Sequence, residues 1–214
     1  YDGGGIYLED DAIVSLSTCD LVDNLAGDDG GGVFMDKDGT LSMSGVTLDA
    51  NEATGDGGGI YLENDCVLTV SGSSFTDNVA GSTGGGIAGR NDTTVTVSGT
   101  TFDANVADYG GGLYTTDATT ISGSTLSSNS ATWYGGAWYA YLDDVDASIT
   151  SSTLTSNSAG YYGDAISTDV WSTSHYVTGS SLSQSGHGSE PLHLRYVDTY
   201  SMTTSFTCGY WSCY

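Results

Sequence analysis

The sequence predicts an all-β solenoid, a chain wound as a parallel β-helix with three strands per coil and about 27 residues per coil. Three observations predict it. A glycine triplet followed by an apolar residue recurs at Gly3, Gly30, Gly57 and Gly84, always 27 residues apart, and continues less strictly at Gly110, Gly135 and Gly163. An asparagine series runs in phase with it: Asn24, Asn51, Asn78, Asn105, Asn129 and Asn157. No segment has helical periodicity, and no two-residue Asn-Gly loop marks a hairpin between neighbouring strands.

The coil from Gly57 to Thr83 shows the elements in order. The stretch after the triplet (Ile60, Tyr61, Leu62) alternates apolar, outward, apolar, as a half-buried strand does. Asn64 and Asp65 supply a turn, and Val67 to Ser71 alternates again. Gly72 breaks it, and Ser74 to Thr76 leads to Asn78. Copies of each position fall into columns: Ile6, Val33, Ile60, Ile87, Leu113 and Trp138; Val14, Leu41, Leu68 and Val95; Leu21, Leu48, Phe75, Phe102, Leu126 and Leu154. Like-on-like stacking of apolar columns is what a solenoid core needs. The asparagines read as a structural ladder at a turn, with an alanine two residues on (Ala80 after Asn78) leaving room for the bend. Phe75 and Phe102 are expected to stack inside the coil. The regular repeats occupy residues 1–165, and 166–214 is expected to be less regular, a cap or mating segment. At about 4.8 Å per coil, roughly eight coils make a rod with a regular part near 40 Å long.

Composition narrows the function. Net charge is −24, with Lys37, Arg90 and Arg195 the only cations besides three histidines. Such a surface repels phosphate backbones and anionic lipid, which argues against nucleic-acid and membrane-surface partners. No apolar run is long enough to span a membrane, so no membrane insertion of this chain is expected. The chain begins at Tyr1 and reads as a piece processed from a longer precursor. Cys208 and Cys213 in "CGYWSC" are close enough to close a small disulfide loop, which would favour an oxidising, extracellular setting. Cys19 and Cys66 fall at different places in their repeats and are expected to be buried and free.

"FTDNVA" at Phe75 and "FDANVA" at Phe102, each followed by "GGGI" or "GGGL", resemble the FxxN and GGA[ILV] repeats of the polymorphic outer membrane proteins, bacterial surface proteins of the autotransporter type. The resemblance covers about residues 1–165. It implies a right-handed parallel β-helix passenger with adhesive or surface roles. In this chain Gly often replaces the motif's Ala and Leu its Phe, and the family's membrane barrel is not part of the sequence.

Two polar or aromatic columns are candidate sites. Asp11, Asp38, Asp65 and Asp92 share one place, with Glu9, Asp36 and Glu63 two residues before it. Carboxylates repeated every coil would repel one another and suit calcium, a cation that takes carboxylate and backbone oxygens; the competing reading is turn chemistry. No organic cofactor is expected. The second column, Tyr7, Phe34, Tyr61, Tyr114 and Tyr139, faces outward and is interrupted by Ala88. Trp133, Tyr134, Tyr161 and Tyr162 lie nearby, just before the triplets. An exposed aromatic strip suits a protein or sugar interface, or simply braces neighbouring coils.

Enzymes of the pectate-lyase and polygalacturonase type use this fold. "GHG" at Gly186 superficially resembles a polygalacturonase motif, but the paired aspartates and basic motif are not recognisable, and no catalytic residue is assigned. His175, His187 and His193 are read as loop residues. "NDT" at Asn91 is an N-glycosylation sequon on a turn. Two hypotheses follow. One is an extracellular structural or adhesive protein, self-associating head to tail into a filament or binding surface glycans or a host protein. The other is a carbohydrate-binding or polysaccharide-degrading β-helix. A tight aromatic groove with a carboxylate pair about 5–9 Å apart favours the second, and a flat acidic rod with no pocket the first.

Overall fold

Every coil lays down short extended stretches separated by residues that tolerate a left-handed backbone. In the coil from Gly57 these are Ile60–Asn64, Val67–Ser71, Ser74–Thr76 and Val79–Ala80. Between them sit Asp65 (φ 51°), Gly72 (φ 53°) and Asp77 (φ 51°). The chain turns where glycine, or a short polar side chain able to bond locally, accepts positive φ. The computed structural model describes residues 1–143, 147–171, 174–184, 192–195 and 199–208. Of these, residues 142–143, 170–171, 174–184, 194–195 and 199–208 are described by their backbone alone.

The stretches stack in three parallel sheets. The first holds eight strands: Ile6–Leu8, Val33–Lys37, Ile60–Asn64, Ile87–Gly89, Leu113–Thr115, Trp138–Asp143, Ile166–Trp171 and Leu192–Arg195. The third is a stack of six short strands, from Leu25–Ala26 to Ser158–Ala159. The second has two stacks per coil, such as Val67–Ser71 and Ser74–Thr76, that join at the long strand Ser174–Gln184 and its partner Thr199–Cys208. A coil therefore carries four extended stretches rather than three, distributed over three sheets. The extra one follows the buried asparagine, whose hydrogen bonds turn the chain and start the two-residue strand. Register is strict: Leu68 pairs Leu41 on one side and Val95 on the other, and Ile60 pairs Val33 and Ile87. The sheets continue past residue 165, with Ile166–Trp171 pairing both Trp138–Asp143 and Leu192–Arg195.

The inward columns make one continuous core. Phe75 and Phe102 are fully buried, with ring centroids 4.7 Å apart and planes 10° from parallel. Trp138 occupies the place of Ile60 and Ile87; the neighbouring column shrinks from Met35 and Leu62 to Gly89, Thr115 and Ala140, which makes room for the indole. Its Nε1 donates to Thr115 Oγ1 at 3.0 Å, so the one polar atom brought inside is paired.

Two ladders seal the corners. Asn51 Nδ2 donates to Asn78 Oδ1 at 2.9 Å and to Leu21 O at 2.8 Å, while the Asn51 backbone N–H donates to the same Asn78 Oδ1 at 3.1 Å. The pattern repeats through Asn78, Asn105 and Asn129, all wholly buried. Asn24 starts it and Asn157 accepts at its far end. Both N–H donors of each buried amide are used, which removes the cost of burying them. The second ladder is of hydroxyls. Ser73 Oγ accepts from Val46 N, Ser124 Oγ from Thr100 N and Ser152 Oγ from Ser124 N, each hydroxyl donating to a carbonyl two residues back. The sequence reading missed this column because serine and threonine crowd every outward face as well.

The triplet's first glycine has φ between 63° and 67° in all seven coils. A Cβ at the second, Gly58, would lie 2.5 Å from Val79 O and 2.6 Å from Gly85 O, so the coil closes there by backbone contact.

Candidate functional site

The outer face of the first sheet carries the chemistry. Strand alternation puts Tyr7, Phe34, Tyr61, Ala88, Tyr114, Tyr139 and Ser167 in one outward column, each paired with its neighbour one coil away. The residue before each triplet runs beside it: Asp29, Asp56, Thr83, Tyr109, Tyr134 and Tyr162. This flank changes from acidic to aromatic along the rod.

The aromatic column is not an exposed strip. Phe34, Tyr61, Tyr114 and Tyr139 are each under 9% exposed, whereas Tyr7 is half exposed. Tyr109 and Tyr134 pack against Tyr139, and Arg90 lies over Tyr114. Tyr7 and Phe34 stack at 5.0 Å within 1° of parallel, and Phe34 meets Tyr61 at 5.4 Å. Burial pushes the hydroxyls of Tyr61 and Tyr139 above the ordinary tyrosine range; Arg90 opposes this at Tyr61 and Asp169 adds to it at Tyr139.

Arg90 fills the gap that Ala88 leaves. Its Nη2 lies 2.9 Å from Asp56 Oδ2 and donates to Thr83 Oγ1 at 3.2 Å, and its guanidinium carbon sits 5.1 Å from the centre of the Tyr114 ring. Asp56 Oδ1 also accepts from Thr83 N and Thr83 Oγ1, at 3.0 and 2.7 Å. The signal was in the sequence, an alanine breaking an aromatic column with an arginine two residues on, and so on the same strand face.

Below Arg90 the face is acidic. Burial raises the Glu63 carboxyl above its usual range, helped by a hydrogen bond with Asp36. Burial also raises Asp29, with Asp56 and Asp28 adding repulsion and the Asp56 backbone N–H, 2.6 Å away, opposing it. Asp11, Asp38, Asp65 and Asp92 lie elsewhere, exposed at turns, with φ of 58°, 51°, 51° and 63°. Aspartate tolerates that backbone, as the turn reading of the column requires. Among the described residues no group of three or more metal-ligating side chains comes together.

Above Arg90 the face is aromatic and concave. A cavity of about 350 Å³ is lined by Tyr134, Tyr139, Tyr162, Ser167, Thr168, Asp169 and His193. Tyr134 and Tyr162 stack at 5.8 Å, and Tyr162 and His193 at 4.4 Å. Tyr109, Tyr114 and Tyr141 close around Tyr139, at 5.9, 5.6 and 6.5 Å. Trp133 and Tyr161, stacked at 5.0 Å, extend the patch into solvent beside Tyr162. Of the aromatic residues singled out in the sequence, Tyr139, Tyr134 and Tyr162 thus meet at the cavity and Trp133 and Tyr161 border it. Tyr7, Phe34 and Tyr61 are at the other end of the rod. His193 is a strand residue and not a loop one, and Ser167 and Asp169 drew no notice in the sequence because they fall beyond the regular repeats.

Cys66 is buried and free, its thiol raised by burial; Cys19 is free and half-buried. The Cys208 side chain with residues 209–214, the His175 side chain, and the "GHG" segment with His187 lie outside the described residues. No helix among the described residues is long and apolar enough to cross a membrane.

No curated protein and no solved structure matches the chain. The sequence does match the family described as right handed beta helix region, over residues 3–188. That span holds the glycine triplets, the asparagine ladder and most of the three sheets, and on it the protein belongs to the right-handed β-helix family.

Proposed function

We propose that this protein is an extracellular, non-enzymatic surface β-helix that adheres by binding glycans in the cavity at Tyr134, Tyr139 and Tyr162. One observation carries the reading: aromatic rings converge on a cavity of about 350 Å³ together with Ser167, Asp169 and His193. That is within the size range of small-ligand pockets, and ring faces share its lining with polar groups able to fix orientation. Sugars offer apolar ring faces and hydroxyl edges that such a surface satisfies. Among the described lining residues Asp169 is the one carboxylate, while glycoside hydrolysis of the usual kind needs two; this supports binding over bond cleavage. The likeness of "FTDNVA" and "FDANVA" to repeats of bacterial surface passengers supports the adhesive role.

The test is equilibrium binding of the full chain to a panel of neutral and charged oligosaccharides. Saturable binding to at least one class is expected, weakened about tenfold in Tyr162→Ala by loss of one stacking ring. A chain that leaves every sugar unbound at millimolar concentration overturns the reading.

End-to-end self-association is the second reading. Ile6, Leu8, Val14, Leu16 and Leu21 of the first coil are only partly buried, whereas their copies Val33, Met35, Leu41, Met43 and Leu48 are sealed. A second copy stacked on them, or precursor sequence ahead of Tyr1, would bury the difference. Sedimentation over a range of concentrations tests it; a monomer at every concentration removes it.

A further inference from the structure

We infer that the cavity holds one part of a longer glycan, and that Trp133 and Tyr161 form a second binding surface for the sugars that follow. The inference rests on the glycan-binding reading and deepens it. At about 350 Å³ the cavity lies near the lower end of the range for small-ligand sites, about 300–1,000 Å³, so it suits a short piece of a polymer. The aromatic surface does not end there. Tyr134 lines the cavity and also meets Tyr161 at 6.3 Å, edge to face; Tyr161 in turn stacks on Trp133 at 5.0 Å. From Tyr139 through Tyr134 and Tyr161 to Trp133 the ring centres are 5.7, 6.3 and 5.0 Å apart, each step comparable to the length of one sugar ring. These outer rings stand in water: Tyr161 is 55% exposed, Tyr162 45% and Trp133 37%. The corner they occupy does not need them. Trp133–Tyr134 and Tyr161–Tyr162 immediately precede the glycine turns at Gly135 and Gly163, and the same two places hold Asp28–Asp29, Gly55–Asp56 and Ser82–Thr83 in earlier coils. Those coils turn with the same positive φ at Gly30, Gly57 and Gly84. Large rings grouped in solvent where small polar residues build the same corner mark a surface kept for a partner. An extended glycan seated at Tyr139 would cross the rod around this corner, and each unit that reaches a ring adds contact.

The experiment is calorimetry on the full chain with glucan, mannan and galacturonan series, each from the monosaccharide to the hexasaccharide. In a series that binds, the hexasaccharide is expected to bind about tenfold more tightly than the disaccharide, because only the longer chain reaches from the cavity to Trp133. Trp133→Ala and Tyr161→Ala are each expected to remove most of that gain and to leave the disaccharide within about twofold of its original affinity. Trp133→Phe keeps a ring in place and is expected to retain most of the gain. Tyr162→Ala, inside the cavity, is expected to weaken both lengths alike, by about tenfold. Equal affinity for the two lengths, or a gain that survives both Trp133→Ala and Tyr161→Ala, overturns the inference and leaves glycan binding standing. Loss of disaccharide binding to the same degree as hexasaccharide binding in both variants also overturns it. Failure of every series to bind overturns the inference and the glycan-binding reading together.

Discussion

The Asn78 side chain makes four hydrogen bonds: Nδ2 donates to Leu48 O and Asn105 Oδ1, and Oδ1 accepts from Asn51 N and Nδ2. Asn78→Ala would leave two Asn51 donors, Leu48 O and Asn105 Oδ1 short of a partner inside the protein. Each buried unpaired group costs about 1–3 kcal/mol, so a loss of at least 3 kcal/mol is expected in chemical denaturation. A loss below about 1 kcal/mol would show that water replaces the ladder. The aspartate turns behave differently. Asp65 is exposed at φ 51°, so Asp65→Gly is expected to be neutral or stabilising and Asp65→Ala to cost about 1 kcal/mol. Turn chemistry further predicts the same melting temperature in calcium and sodium chloride at matched ionic strength. A calcium-specific rise would assign the column to metal binding instead.

Among elements, the stack Ser74–Thr76 beneath Thr101–Asp103 holds two fully buried phenylalanine rings of the core. Phe75→Ala removes a fully buried ring whose partner is 4.7 Å away, and about 3–5 kcal/mol is expected to go with it. An unchanged melting temperature would contradict the column. The acidic strands offer a pH test. Glu63 and Asp29 are raised in the folded chain above 4.5 and 3.8, so folding makes them hold protons more tightly. Stability contributed by a raised carboxyl is present at low pH and lost as pH rises through the folded value. The melting temperature is therefore expected to rise as acidification from neutral carries the pH down through the folded values to the ordinary 4.5 of a glutamate, and Glu63→Gln to blunt the rise. A steady fall over that range would count against the assignment. These strands also show what a sequence can and cannot disclose. Phe75 and Phe102 were legible because the core repeats with the coil, and repetition is visible in one dimension. The four buried rings at Phe34, Tyr61, Tyr114 and Tyr139 were legible as outward but not as covered. Alternation reports a face of a sheet and says nothing of what lies over it. Arg90 and His193 escaped for a related reason: each acts once, across coils, where periodicity has nothing to repeat.

The whole molecule is a stack whose coils touch only their neighbours, so its stability should be nearly a sum over coils and interfaces. Deleting residues 51–77, one whole period, would bring Asn24 beneath Asn78 and Ala50, at φ 53°, into the place of Asp77 at φ 51°. The shortened chain is expected to fold cooperatively with β-sheet circular dichroism and a lower melting temperature. Failure to fold would show coupling that reaches beyond adjacent coils.

The asparagine chain also has a direction. From Asn24 to Asn129 each side-chain amide donates to the asparagine one coil nearer the C-terminal end. The amide dipoles therefore all point one way, as peptide dipoles do in a helix. Two copies that joined while keeping this line unbroken would have to lie in the same orientation, acceptor meeting donor. A mirrored meeting at the first coil would set Asn24 Oδ1 against its own twin, oxygen to oxygen. Any assembly that extends the line is polar, with unlike ends and no natural stopping point, and a closed two-fold pair would have to use the long faces of the rod instead.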